Sequence, residues 1–288
     1  MTMIAARRFM IADSSADASN PCHRMWMRSA GLMLFAFVAL TTSGCFHMTT
    51  TLTVRDDGSG TIDHKMLVTN AGIAQLKQFG ALAGGRGQNV DPISEEQARA
   101  LAASIGPGVT YVGSTPTSSP MGQGRDATYA FTDVSQLRIS PAPAVPAGLP
   151  TRPGLTTDSR PITFSLTHET NGNAVLHIHV PEPDFLGTLS TPAAANQLAA
   201  IKMLLGGARV TLVAEPTGAL VQTTSPYAEG SRVTLLDIDL DQILKDEESI
   251  AKLQAAKTQE DAQAVLEHLA GLKIDLTREI TIEFTPAK

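Results

Sequence analysis

The sequence predicts an α+β protein, built on a twisted antiparallel sheet that is open or barrel-like and carries a few packed helices. Three observations predict this class. Strand-like runs come in pairs around short turn signals, which favours antiparallel pairing through hairpins. Helical patterns are few and short. Apolar residues make up 43% of the 288, which is enough for a packed core.

Composition excludes several classes of protein. The formal net charge of −6 argues against a nucleic-acid-binding surface, because such a surface needs clustered Lys and Arg. The two cysteines are too few for a disulfide scaffold or a four-cysteine zinc site. Aromatic residues make up only 5%, so a stacking platform for bases is not expected.

A signal peptide is predicted over residues 1–44. The uncharged run 31–43 follows Arg24 and Arg28, and as a helix it reaches about 20 Å, short of a ~30 Å hydrocarbon core. A basic segment followed by a short apolar one is typical of a secretory signal rather than of a membrane span. Residues 1–24 are polar and include two aspartates, so we expect them to be a gene-start artefact.

The apolar run ends at Ser43-Gly44-Cys45, which resembles the lipobox of bacterial lipoproteins. In that family the cysteine thiol receives a diacylglyceryl group, the chain is cut before it, and the new amine often receives a fatty acid such as palmitate. Thr42 stands where that motif usually has Leu. The alternative is an ordinary secretory signal that contains a cysteine. The resemblance implies a mature chain 45–288, anchored through Cys45 to the extracytoplasmic face of a bacterial membrane.

The first hairpin is predicted from runs 48–55 and 60–68, which flank Asp56-Asp57-Gly58. A three-residue loop sets Leu52 opposite Ile62 and Met48 opposite Met66. Pairing apolar with apolar side chains favours that loop, with Gly58 in the left-handed region.

A helix and further strands complete the first half. Ser94 and Gln97 form a capping box before an apolar stripe at 98, 101, 102 and 105, and Gly106 ends this helix. A weaker helical spacing covers 73–83, and strands are expected at 109–112 and 127–131. Six prolines in 141–161 indicate an extended linker or long surface loop, which leaves open one domain or two linked halves.

The second hairpin is predicted at 162–169 and 173–180, with a two-residue type I′ loop at Asn171-Gly172. This register sets position 168 opposite 175, so that His168, His177 and His179 share one face. Three imidazoles are able to hold zinc with an open fourth position. The alternative is a half-exposed, mixed sheet face, because apolar side chains share it and no nearby carboxylate is evident that would orient the imidazoles.

The rest of the second half repeats the first in outline. A helix near 194–205 precedes strands at 210–213 and 233–240, and a helical tail over 246–272 contains helices near 249–256 and 258–270. A last strand is expected at 278–284. The acidic spacing Asp237, Asp239, Asp241 and Glu248 resembles a calcium loop, but Gln242 stands where that loop requires Gly. A strand with a solvated acidic face is the alternative.

Several short motifs together resemble the LppM-type bacterial lipoproteins. They are Gly44-Cys45, the segment 52–60, Gly108–Gly113, Tyr129–Asp133, Val210–Pro216 and Val233–Leu236. The resemblance implies an envelope-anchored αβ domain that binds lipid or glycolipid. It carries over only Cys45 as a functional residue, and it implies no catalytic residue. The segments 141–161 and 246–272 lie outside the pattern.

We therefore expect a lipid-anchored envelope protein that binds a lipid or another apolar ligand, without enzymatic activity, cofactor or nucleic-acid partner. Alternating apolar residues in the strands supply one concave face for such a ligand. The alternative is a structural or assembly protein that docks envelope partners through its acidic surface or through 141–161. A third hypothesis, a hydrolase or metal protein, rests on the three histidines alone.

Overall fold

The structure is a computed structural model that describes residues 46–74, 77, 93–140, 160–181, 206–256, 258–275 and 277–287. The larger of its two sheets, sheet A, has the strand order β10-β11-β8-β1-β2-β4-β3, and β12 pairs with β11. Its strands are β1 Phe46–Val54, β2 Gly60–Thr69, β3 Thr110–Ser119, β4 Gly122–Phe131, β8 Arg209–Pro216, β10 Ala228–Glu229, β11 Arg232–Asp239 and β12 Leu272–Ile274.

The smaller sheet, sheet B, has the order β5-β6-β7-β13-β9, and all its pairs are antiparallel. Its strands are β5 Arg138–Ile139, β6 Ile162–His168, β7 Ala174–His179, β9 Leu220–Thr223 and β13 Glu279–Phe284. The order in both sheets is open-ended, so the α+β class is confirmed as two open sheets rather than one barrel-like sheet.

Helices flank the strands. They are α1 Glu95–Ile105, a 3₁₀ turn Val134–Gln136, α2 Leu240–Lys245, α3 Glu247–Ala255 and α4 Gln259–Leu266. None of the helices within the described ranges combines the length and apolarity that crossing a membrane requires. α1 begins with the predicted capping box, in which Ser94 and Gln97 each bond the other's backbone N–H.

One apolar core is shared by both sheets. Alternate residues of β1 and β2 point into it, as Leu52 and Ile62 do, and alternate residues of sheet B do the same, as Leu176 and Ile282 do. A smaller cluster centred on Leu253 holds α3 and α4 together. The chain before the proline-rich segment and the chain after it therefore meet in a common interior, because neither sheet buries its apolar face alone.

The first hairpin has the predicted register. Leu52 lies opposite Ile62 and Met48 opposite Met66, around a three-residue loop in which Gly58 has a φ of 82°. The backbone N–H of Arg55 donates to Ser59 O at 2.8 Å and closes the loop. The apolar matching that predicted this loop is therefore confirmed.

The register predicted for the second hairpin is wrong by one residue. His168 lies opposite Ala174, and the backbone N–H of Glu169 donates to Asn173 O, which makes a three-residue loop rather than the two-residue loop 171–172. Gly172 takes the positive φ, 88°, as Gly58 does in the first loop. The observed register pairs apolar with apolar, setting Phe164 against Ile178 on the buried face.

Strand β8 departs from the antiparallel expectation. It pairs with β1 in parallel, Met48 opposite Val210, and brings β11 into the same sheet. The second hairpin lies in sheet B whereas β8 and β11 lie in sheet A, so the halves do not repeat at the level of the sheets. The predicted helix 194–205 and most of 73–83 and 141–161 lie outside the described residues.

Candidate functional site

Cys45 lies outside the described residues, but the strand that follows it is described. β1 begins at Phe46, whose side chain is almost fully buried. The predicted lipidation position is therefore adjacent to the first core residue of sheet A. This adjacency matters for any lipid anchor, since no spacer residues separate Cys45 from the fold.

The three predicted histidines do not come together. His177 and His179 point to one face of sheet B, whereas His168 points to the other, because it pairs with Ala174 rather than with position 175. His168 Nε2 lies 2.8 Å from Asp56 O, at the loop of the first hairpin. Both ring nitrogens of His177 have partners, Glu279 Oε1 at 2.9 Å and Thr167 Oγ1 at 3.2 Å.

The structure therefore gives these histidines no common metal position. Across the described residues, no group of three or more His, Cys, Asp or Glu side chains is arranged to hold a metal ion. The physical reason is the slip in register: a shift of one residue moves every side chain of a strand to the opposite face.

The acidic residues with calcium-loop spacing have separate local roles. Asp237 is buried and forms a two-pronged ion pair with Arg209, so the expected solvated acidic face is wrong at this position. Asp239 accepts from backbone N–H groups at the start of α2. Asp241 and Glu248 pair with lysines one helical turn further on, at 2.7 Å and 2.8 Å.

A buried polar pair in the shared core is the strongest candidate site. Thr50 on β1 and His64 on β2 lie directly opposite each other, and both side chains point inward among apolar residues. Thr50 Oγ1 and His64 Nδ1 are 2.9 Å apart. His64 is 9% exposed, and its Nε2 has no hydrogen-bond partner among the described residues.

Burial controls the protonation of this histidine. Removing the imidazole from water penalises its charged form, which lowers the pKa of His64 to about 4. The side chain is therefore neutral at pH 7. A neutral imidazole has one nitrogen that donates and one that accepts, so Nε2 is able to take either role according to the tautomer.

The neighbouring polar side chains on β4 are satisfied, in contrast to His64. Arg125 Nε donates to Ile93 O at 2.8 Å, and Tyr129 OH donates to Ala98 O at 2.7 Å beneath α1. Burial and the nearby Tyr111 raise the pKa of Tyr129 to about 12. These groups hold α1 against sheet A, whereas Nε2 of His64 has no hydrogen-bond partner among the described residues.

Sequence analysis missed this pair, although the sequence contained its signal. The predicted register of the first hairpin already places position 50 opposite position 64 on the buried face, between Leu52–Ile62 and Met48–Met66. Two polar residues at facing core positions are unusual, because each costs free energy unless it is hydrogen-bonded. The alternation rule applied to polar residues would have identified them.

Comparison with known proteins gives little further information. No protein-family model matches the chain, and no curated protein matches it. Among solved structures, the chain is similar to the folded domain of LppM from Mycobacterium tuberculosis, determined by NMR. The TM-score is 0.32 at 10% identity, over 85% of this chain and 93% of that one. This match assigns no residue role to the chain.

Proposed function

We propose that this protein is a bacterial envelope lipoprotein, acylated on Cys45, whose folded part binds an amphiphilic ligand without covalent chemistry. The observation that carries the proposal is that Nε2 of His64, in the buried core, has no hydrogen-bond partner among the described residues. A buried polar atom without a partner costs about 1–3 kcal/mol, so a ligand that supplies the partner gains that free energy.

The chemistry of the interior defines the class of ligand. The nearest inward-facing side chains on the same two strands are apolar, with Met48 and Leu52 beside Thr50 on β1 and Met66 and Ile62 beside His64 on β2. Apolar side chains of this kind suit contact with alkyl chains. One imidazole nitrogen suits one polar group, such as a hydroxyl, an ester or a carboxylic acid. A fatty acid, a mono- or diacylglycerol or a phospholipid has this combination.

Membrane anchoring supports the same class of ligand. Acylation at the lipobox-like Ser43-Gly44-Cys45 would hold the domain at a membrane face, where amphiphiles are the abundant small molecules. Acylation is tested by metabolic labelling with an alkyne fatty acid. We expect the label to be present in the wild-type protein and lost in Cys45→Ser; label retained in that variant would contradict the proposal.

Ligand binding is tested with a pair of matched histidine variants. Saturable binding of a fluorescent fatty acid and native mass spectrometry are measured for wild type, His64→Leu and His47→Leu. His47 is a histidine on the outward face of the adjacent strand β1. We expect about tenfold weaker binding in His64→Leu, as the loss of one buried hydrogen bond implies, and unchanged binding in His47→Leu.

A second candidate, an assembly protein, is favoured by the edge of sheet A. β3 is the last strand in the order of that sheet, and Val112 on it is 64% exposed. Edge strands accept strands from partner chains. Pro116 and a bulge near Val112 make β3 less able to pair with a strand of a partner chain. Absence of saturable lipid binding, with cooperative unfolding intact, would leave assembly as the better proposal.

A further inference from the structure

The end of sheet A at which β1 begins combines two features that bear on the membrane. Phe46, Val68 and Gln123 lie side by side on β1, β2 and β4. The next row, which pairs Thr69 with Gly122, is the last one at this end of the sheet. Cys45 immediately precedes Phe46 along the chain. An acyl group on Cys45 therefore holds this end of the sheet, rather than a flexible tether, at the lipid surface.

The second feature is an exposed apolar side chain at the same end. Met121 forms the tip of the β3–β4 hairpin, next to the pair Thr69–Gly122, and is 59% exposed. Its carbonyl oxygen accepts from the backbone N–H of Asn70 at 2.9 Å, and Asn70 Nδ2 donates to Pro120 O at 2.9 Å. These bonds hold the tip against β2, two strand spacings or about 10 Å from β1.

The other exposed large apolar side chains of the described residues lie towards the opposite end. Val112 follows Tyr111, which belongs to the row of Tyr129, Ile62 and Leu52 near the first hairpin loop. Val221, 51% exposed, comes soon after β8 ends beside Val54, where the backbone N–H of Thr217 donates to Val54 O. β1 is about 26 Å long, so the two ends are well separated.

We propose that the end of sheet A at which β1 begins docks on the lipid bilayer, with Met121 at the exposed hairpin tip entering the interfacial region. This proposal rests on the acylation of Cys45 proposed above. An unbranched thioether side chain on a fixed hairpin tip buries apolar area in the acyl boundary without unfolding the domain. The acyl anchor and Met121 together give two contacts, which turn this end of sheet A towards the bilayer.

The test uses tryptophan fluorescence. The only tryptophan of the chain is Trp26, which lies within the predicted signal peptide. A full-length protein carrying Trp26→Phe then receives one probe, Met121→Trp, or one control, Val221→Trp or Val112→Trp, at the exposed positions compared above. Each variant is purified from membranes and reconstituted in phosphatidylcholine–phosphatidylglycerol vesicles that contain phospholipids brominated on their acyl chains.

We expect bromine to quench the indole from Met121→Trp by half or more and its emission to shift to the blue, while both controls stay unquenched. Gln123→Trp, on the row of Phe46, is the second probe if Met121→Trp does not fold. Intact mass of each preparation measures acylation separately. An unacylated protein would overturn the proposed anchor. An acylated protein whose probes are quenched no more than the controls would overturn the docking orientation alone.

Discussion

His64 is a polar residue in a core position, and its environment decides its chemistry. Its Nδ1 lies 2.9 Å from Thr50 Oγ1, and its Nε2 has no partner among the described residues. Burial lowers the pKa of the side chain to about 4. An imidazole in this state resists protonation, since a charge in the apolar interior would be desolvated and unpaired. The residue therefore couples the stability of the fold to pH.

Stability is expected to fall as pH falls from about 6.5 towards 4. The unfolded chain protonates His64 near its ordinary pKa of 6.5, whereas the folded chain does so only near 4. Between these values the unfolded state binds more protons, so acid favours unfolding by about 2–3 kcal/mol at pH 4.5. Urea unfolding at pH 7 and pH 4.5 measures this loss. His64→Gln should show a flatter dependence, and equal slopes in both proteins would contradict the assignment.

The two ion pairs of β11 and α2 differ in burial and should differ in their contribution to stability. Asp237 is 12% exposed opposite Arg209, whereas Asp241 is 43% exposed opposite Lys245. The hydrogen bond from Arg209 to Asp237 raises the pKa of the guanidinium, and Thr211 Oγ1 adds a third bond to the carboxylate.

We expect Asp237→Ala to lower the free energy of unfolding by about 1–3 kcal/mol, because it removes three hydrogen bonds from a buried acceptor. Asp241→Ala should cost less than about 1 kcal/mol, because its pair is screened by water. Urea denaturation measures the free energy of unfolding of both variants. Equal losses would mean that the buried pair adds nothing beyond a surface pair.

At the scale of elements, the two hairpins share one loop design. Each has a three-residue loop closed by a glycine of positive φ, Gly58 at 82° and Gly172 at 88°. A Cβ at Gly58 would meet Leu166 Cδ2 at 3.7 Å, whereas a Cβ at Gly172 would meet nothing within 4 Å. Substitution at Gly172 therefore isolates the backbone cost from any steric one.

Gly58→Val and Gly172→Val should each destabilise the fold by about 1 kcal/mol or more, because a β-branched residue resists positive φ. Gly172→Asn is the matched control and should cost less, since Asn tolerates the left-handed region. Thermal unfolding of the three variants measures the effect. A loss in Gly172→Asn as large as in Gly172→Val would point to a cause other than backbone conformation.

At the scale of the whole molecule, the shared core joins two sheets whose strands alternate along the chain. Ile62 of sheet A and Ile282 of sheet B are both almost fully buried in the same cluster. Sheet B itself combines β6 and β7 with the last strand of the chain, β13. Neither sheet has a separate interior among the described residues, which predicts one cooperative unit.

Ile62→Ala and Ile282→Ala should each lower stability by about 2–5 kcal/mol, the cost of a cavity in a packed core. Both should shift one common unfolding transition, because each sheet loses its cover when the other unfolds. Calorimetry gives the number of transitions. Two transitions, each moved by one of the variants, would instead support two linked halves.

Features that depend on neighbours along the chain were predictable from the sequence. Apolar alternation and Gly58 predicted the first hairpin and its register, and Ser94 with Gln97 predicted the start of α1. Thr258 likewise caps the start of α4, where its Oγ1 accepts from the backbone N–H of Asp261. These features follow from the sequence because local propensities and capping bonds act over a few residues.

The remaining features depend on contacts between segments that are distant along the chain. The parallel pairing of β8 with β1 and the insertion of β13 between β7 and β9 join distant segments, and no local pattern specifies such partners. The register of the second hairpin sets His168 opposite Ala174, because this register buries apolar side chains such as Phe164 and Ile178 in the shared core. The turn signal at Asn171-Gly172 therefore predicted the wrong loop length. The burial of His64 follows from the predicted register of the first hairpin, but the lack of a described partner for its Nε2 depends on which distant residues pack against it.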